Sequence, residues 1–253
     1  MKTLKVLSAL LTYPTAQLVN AGLEMKAVLV REAVLPKRQR EEIGDLIDDL
    51  ASSDIYDAQE RFILLFDRTR ALSLHLFEHV HGESRDRGQA MVDLIKVYED
   101  GGYTPTTSEL PDFLPLFLEY ASTRPPQEAI ELIGQPGHVF AALRERLGKR
   151  SSPYEVVFSA LVALSKAKLD ETALAALRAE PDPEPDDLDA LDAAWEDVEV
   201  TFGPGSAVDA CGRDGLAAKL RQSRRPAPGM ERPPVSSPRT VITYSGNRTR
   251  EGA

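Results

Sequence analysis

Three of the chain's four histidines fall close together, at His75, His79 and His81. His75, Glu78 and His79 spell H-x-x-E-H, the inverted form of a zinc-hydrolase signature. On a helix, imidazoles four residues apart share a face and could hold zinc, with Glu78 as general base. That chemistry needs a third protein ligand, and the known bearers of the motif combine helices with a sheet. A zinc-dependent hydrolase is therefore an alternative reading, not the leading one. Around the motif lie Arg68, Arg70, Arg85 and Arg87, with the carboxylates of Asp67, Glu83 and Asp86. Leu72, Leu76 and Val80 form one stripe of a helix over 72–81, and Leu74, Phe77 and His81 the neighbouring one. A helix apolar over so wide an arc is buried, and polar groups on it need hydrogen-bond partners. Ionisable residues this dense beside an apolar stripe predict a polar groove between two packed helices. Gly82 and Gly88 permit tight turning or close approach at the ends of the connection.

The elements that must position this cluster read as helices throughout. Ile43, Leu46, Ile47 and Leu50 follow the i, i+3, i+4, i+7 spacing that gathers apolar side chains on one face. The pattern recurs in Met91, Leu94, Ile95 and Tyr98, in Leu110, Phe113, Leu114, Phe117 and Leu118, and in Tyr154, Val157, Phe158 and Leu161. Leu35-Pro36, Gly101-Gly102, Pro125-Pro126, Gln135-Pro136-Gly137 and Ser151-Ser152-Pro153 mark the breaks. Pro115, inside an apolar stripe, belongs to a first turn or a kink. The best strand candidate, Thr240 to Tyr244, lies far from the cluster. No repeat of 30–45 residues is present. The fold class is all-α: a single domain of about ten helices over residues 1–177.

Composition limits what the domain can meet. The whole chain is at −10, with 42% hydrophobic and 28% charged residues among 253. Residues 213–253 carry nine Lys plus Arg against three Asp plus Glu, which leaves residues 1–212 at −16. Such acidity argues against nucleic acid, whose binding needs a basic face. Residues 178–222 form an acidic linker or docking segment, with nine carboxylates and no Lys or Arg from Asp182 to Glu199. Residues 223–253 are rich in Pro, Arg, Ser and Gly and are expected to be a disordered basic tail. The single Cys211 cannot form an internal disulfide and fits a reducing compartment. The apolar run after Met1-Lys2 is short and lacks a cleavage site, so Leu4, Leu7 and Leu11 belong to a first amphipathic helix. No stretch approaches 18 apolar residues, so no stable membrane insertion is expected, and the protein is placed in the cytoplasm.

The stretch FEHVHGESRDRGQAM, preceded by LFDRTRALSLHLF and followed by ELPDFLPLFLEY, resembles the nitrate reductase molybdenum cofactor assembly chaperones. These belong to the wider family of redox-enzyme maturation proteins. LKVLSALLTYPT resembles that family's opening helix, and DAAWEDVEVTFGP gives a weaker echo, so the likeness covers most of residues 1–204. It implies an all-helical chaperone with no catalytic activity, no catalytic residue and no resident metal or cofactor. It also implies a partner: the apo catalytic (alpha) subunit of respiratory nitrate reductase, gripped at its N-terminal peptide and held competent for cofactor insertion. Carried onto this chain, the client-binding residues are His75, Glu78, His79, His81, Glu83, Arg85, Asp86 and Arg87, with Asp112, Glu119 and Tyr120 beside them. A strongly acidic domain suits a basic peptide, since complementary charge speeds encounter. An amphipathic client helix laid in an apolar groove would add most of the affinity. A helical scaffold protein that stays within a finished complex is the remaining alternative.

Overall fold

A computed structural model describes residues 1–81, 86–105, 109–166 and 168–183, and the backbone of 239–241. Apart from that tripeptide, the tail assigned to 223–253 lies outside the described residues, as does most of the acidic segment.

Twelve α-helices occur among the described residues, and the all-α reading holds. The first, α1 (Lys2–Leu10), buries Leu4, Leu7 and Leu10 against α8 (Leu114–Ser122). Its exposed first-turn N–H groups, which no helix can satisfy internally, find a carboxylate from elsewhere. Glu32 accepts from the backbone N–H of Lys2 and of Thr3, both at 2.7 Å. The Met1 ammonium donates to the Ser122 carbonyl at 2.7 Å, which ties α1 to the end of α8. Between them in sequence lie α2 (Ala16–Asn20), α3 (Gly22–Glu32), α4 (Lys37–Ser52) and α5 (Ile55–Phe66). The α4 stripe of Ile43, Leu46, Ile47 and Leu50 is buried as its spacing requires.

The second half adds α6 (Leu76–His81), α7 (Asp86–Asp100), α9 (Pro126–Gly134), α10 (Gly137–Lys149), α11 (Glu155–Ser165) and α12 (Glu171–Ala179). Pro126 opens α9 and Pro115 sits in the first turn of α8, where a missing N–H costs nothing. The α10 and α11 helices pack along each other, and α12 closes on α10. No helix of the described residues is long and apolar enough to cross a membrane.

Two expectations need correction. The helix expected over 72–81 is not continuous: a single 3₁₀ turn at Arg70–Leu72 gives way to extended Ser73, and α6 begins only at Leu76. Residues 74–76 find backbone partners outside any helix, because Leu114 N–H donates to the Leu74 carbonyl and Leu76 N–H to that of Asp112. The stripe beginning at Leu110 is also shorter than its periodicity, since Leu110 is exposed and Phe113 is the cap of α8. A short strand, β1 (Tyr103–Pro105), follows Gly101-Gly102 and pairs in parallel with β2 (Arg239–Val241), which overlaps the strand candidate beginning at Thr240. Gly102 takes a φ of +80°, a conformation open to glycine. Gly101 is demanded by closeness: a Cβ there would lie 2.5 Å from the Tyr120 hydroxyl.

Candidate functional site

The cluster forms around the joint between α6 and the segment that leads into α8. Asp112 is 0% exposed, and its carboxylate is shared. One oxygen lies 3.2 Å from His75 Nδ1, and the other accepts from the Phe77 N–H at 3.0 Å. Asp112 therefore caps the start of α6 from outside the helix, satisfying one of its free N–H donors and placing negative charge at the positive end of its dipole. His75 and Phe113 face each other across an isolated antiparallel bridge, with ring centroids 5.4 Å apart. Burial depresses the His75 pKa. The hydrogen bond and charge of Asp112, joined by the charge of Glu78, outweigh it, so His75 titrates above the usual histidine value.

His79 has a different environment. It is buried in α6, and its Nε2–H donates to the Ser73 carbonyl at 2.8 Å. Burial is the main reason that its pKa is pushed down to about 4. The two imidazoles of the H-x-x-E-H motif thus serve separate partners. His75 precedes the helix instead of sitting one turn below His79, so the shared face that a zinc site requires is not formed. Among the described residues, no group of three His, Cys, Asp or Glu side chains is arranged to hold a metal ion. His81 is buried with its ring edge-on to Phe77 at 5.4 Å.

Glu78 faces outward from α6 and pairs with Arg87 at the start of α7, with 3.3 Å between Oε1 and Nη2. Each is about a quarter exposed, at 27% and 25%. Asp86 opens α7. Glu83 and Arg85 lie outside the described residues. Asp112 with His75 and Glu78 with Arg87 thus form two polar pairs at the α6 joint, coupled through charge at His75. Glu119 and Tyr120 do not belong to either. Glu119 turns toward α1 and meets Lys5 at 3.3 Å. Tyr120 donates to the Val97 carbonyl at 3.0 Å beneath the α7–β1 turn.

Two features escaped the sequence reading. Arg146 is 4% exposed and donates to the carbonyls of Ala71 at 2.7 Å and Leu177 at 2.6 Å, which fastens α10 to the chain before α6 and to α12. Its signal was present: Val139, Leu143 and Arg146 recur at the spacing of one helix face, an arginine where a core residue is expected. The other is the open flank of α7, where Val92 is 45% and Ile95 36% exposed. Met91, Leu94 and Tyr98 supply that helix's inner face, so Ile95 appeared in the periodicity as core although it stands at the margin.

A family model described as nitrate reductase delta subunit matches residues 32–160, a span that contains every candidate residue above. The chain is 42% identical over 219 residues to the nitrate reductase molybdenum cofactor assembly chaperone NarJ of Escherichia coli K12, across 87% of this chain and 91% of that protein. It is 38% identical over 202 residues to a protein of the same organism named as the probable nitrate reductase molybdenum cofactor assembly chaperone NarW, across 80% and 84% of the two. A Bacillus subtilis protein, named as a probable chaperone of the same kind, is 31% identical over 179 residues, across 70% of this chain and 96% of its own length.

Proposed function

The chain belongs to the nitrate reductase molybdenum cofactor assembly chaperones, and from that membership we propose that it binds the apo catalytic subunit of nitrate reductase at the N-terminal segment and holds it competent for cofactor insertion. The family's members are named as assembly chaperones, not catalysts. We place this work in the cytoplasm, where the single Cys211 would stay reduced.

The observation that carries the reading is the pairing of an apolar flank with a half-buried ion pair on one helical hairpin. Val92 and Ile95 leave apolar surface in water on α7. Glu78 and Arg87, joining α6 to α7, keep their charged ends at the surface. A basic amphipathic helix could bury its apolar side on Val92 and Ile95 while its cations meet the carboxylates of residues 1–212, which carry −16 in all and −6 within 1–177. Neither half alone would select such a client.

Calorimetric titration of the full chain with a synthetic peptide of the catalytic subunit's N-terminus tests the proposal. Saturable one-to-one binding is expected, weaker at high salt because exposed charges are screened beyond about 10 Å at 0.1 M ionic strength. The double variant Val92→Ser with Ile95→Ser should lose affinity at least tenfold while the chain stays folded by circular dichroism, since both positions are partly exposed. Absence of binding at both low and high salt would overturn the N-terminal segment as the client.

A further inference from the structure

A three-residue strand in an otherwise helical protein poses a question of accounting, because its backbone donors and acceptors have no helix to satisfy them. β1 is held firmly on one side. Tyr103 is buried and meets Tyr120 edge-on at 5.7 Å, while the Arg124 guanidinium lies 5.0 Å above the Tyr103 ring and 4.9 Å above that of Tyr120. Arg124 also donates to the Gly101 carbonyl at 3.2 Å, which fixes the turn that enters the strand. The other side of β1 is a sheet edge. The structure fills it from the far end of the chain, in parallel, with Tyr103 opposite Arg239, Thr104 opposite Thr240 and Pro105 opposite Val241.

The pairing agrees with sequence chemistry. Arg239 to Tyr244 reads RTVITY, a run of β-branched and aromatic residues in a stretch otherwise made of Pro, Ser, Gly and Arg. The segment is basic, and beside the turn into β1 the two carboxylates of Glu99 and Asp100 outnumber the one guanidinium of Arg124. The ladder is also short. Two parallel strands of three residues are marginal on their own, and closing the long connection from Pro105 to Arg239 weakens them further. Pro105 has no N–H, so in this register Thr104 carries the ladder on β1, donating to the Arg239 carbonyl and accepting from the Val241 N–H. An edge that is rigidly mounted but weakly occupied can change occupants.

We propose that β1 is a docking edge for a basic, extended peptide segment, and that the C-terminal segment around Arg239–Val241 is its occupant in cis. Main-chain hydrogen bonds to Thr104 supply the affinity, as in strand addition to other exposed sheet edges. Charge supplies the preference for basic segments. The tail thereby shields an edge that would otherwise template pairing with other chains.

The test compares the full chain with its Val241→Pro variant, which removes the backbone donor that faces the Thr104 carbonyl in this register and lies outside the helical domain. Hydrogen exchange at the Thr104 amide should quicken about tenfold in the variant, with the amides of α8 unchanged. A fluorescent peptide of residues 236–248 should bind the variant at least fivefold more tightly than the unaltered chain and restore protection at Thr104. The same peptide with Arg239 and Arg248 changed to Glu should bind about tenfold more weakly. Equal Thr104 exchange in the two chains would overturn the cis occupancy, and equal peptide binding by the two would overturn the docking edge. None of these readouts uses a nitrate reductase peptide, so a wrong client and a wrong edge give different results.

Discussion

Replacing Asp112 by alanine should be the most damaging single polar change near the candidate site. Its carboxylate is wholly buried, lies 3.2 Å from His75 Nδ1 and accepts from the Phe77 N–H at 3.0 Å. Alanine leaves the Phe77 donor buried without that partner, a loss of about 1–3 kcal/mol, and removes a charge-assisted bond besides. The expected total is about 3 kcal/mol. For a domain of this size that lowers the melting temperature by about 6–12 °C. Asp112→Asn should cost less, about 1 kcal/mol, because an amide oxygen can still accept from Phe77.

The same pair of variants separates a structural bond from an electrostatic one. In the native chain the His75 pKa stands above its usual 6.5 despite burial, because of Asp112 and Glu78. A raised histidine pKa contributes stability that is fully present below 6.5 and is lost as pH rises through the folded value. In Asp112→Asn that contribution should vanish, and the His75 titration, followed by NMR of the ring protons, should move down as burial is left opposed by Glu78 alone. Calorimetry from pH 5 to 8 should then show the native chain's advantage over the variant shrinking with rising pH. A loss below about 1 kcal/mol in Asp112→Ala, or a His75 titration unmoved in Asp112→Asn, would refute the role given to this carboxylate.

His79 works with the opposite sign. Its pKa is pushed from 6.5 to about 4, so its contribution is complete above 6.5 and is lost as pH falls through that range. The gap corresponds to about 3 kcal/mol, and chemical denaturation at pH 7 and pH 4 should show a smaller acid-induced loss in His79→Gln than in the native chain. Arg146→Met should leave the carbonyls of Ala71 and Leu177 without their donor and cost about 3 kcal/mol in denaturant melts, with early hydrogen exchange in α12. Gly101→Ala should cost about 1–3 kcal/mol, because its Cβ would press on the Tyr120 hydroxyl and ring edge. Tyr120→Phe in that background should recover part of the loss, and a melting temperature unchanged by Gly101→Ala would contradict the close approach.

What the sequence disclosed and what it hid divide along a physical line. Helices with a single apolar stripe and a proline or glycine at the boundary were readable, as α4 and α9 show, because burial of one face is a local property of spacing. The segment around His75 was misread for a complementary reason. Its spacing is helical, and Leu74 and His75 could have continued a turn, but residues 112–114 offer the same backbone a partner, and that offer comes from 37 positions away. No local pattern reports a long-range competitor. The candidate site shows the same split. The histidines, Glu78, Arg87 and Asp112 were identifiable as residue types crowded beside apolar ones, and four of those residues do meet, in two pairs, at the α6 joint. Glu119 and Tyr120 carried the same kind of signal but spend their polar atoms on Lys5 and Val97. Arg146 and the outward Ile95 were hidden by the reverse effect. Periodicity assigns a residue to a face but cannot say whether that face meets a neighbour, and on α7 that omission is the very surface proposed to receive a client.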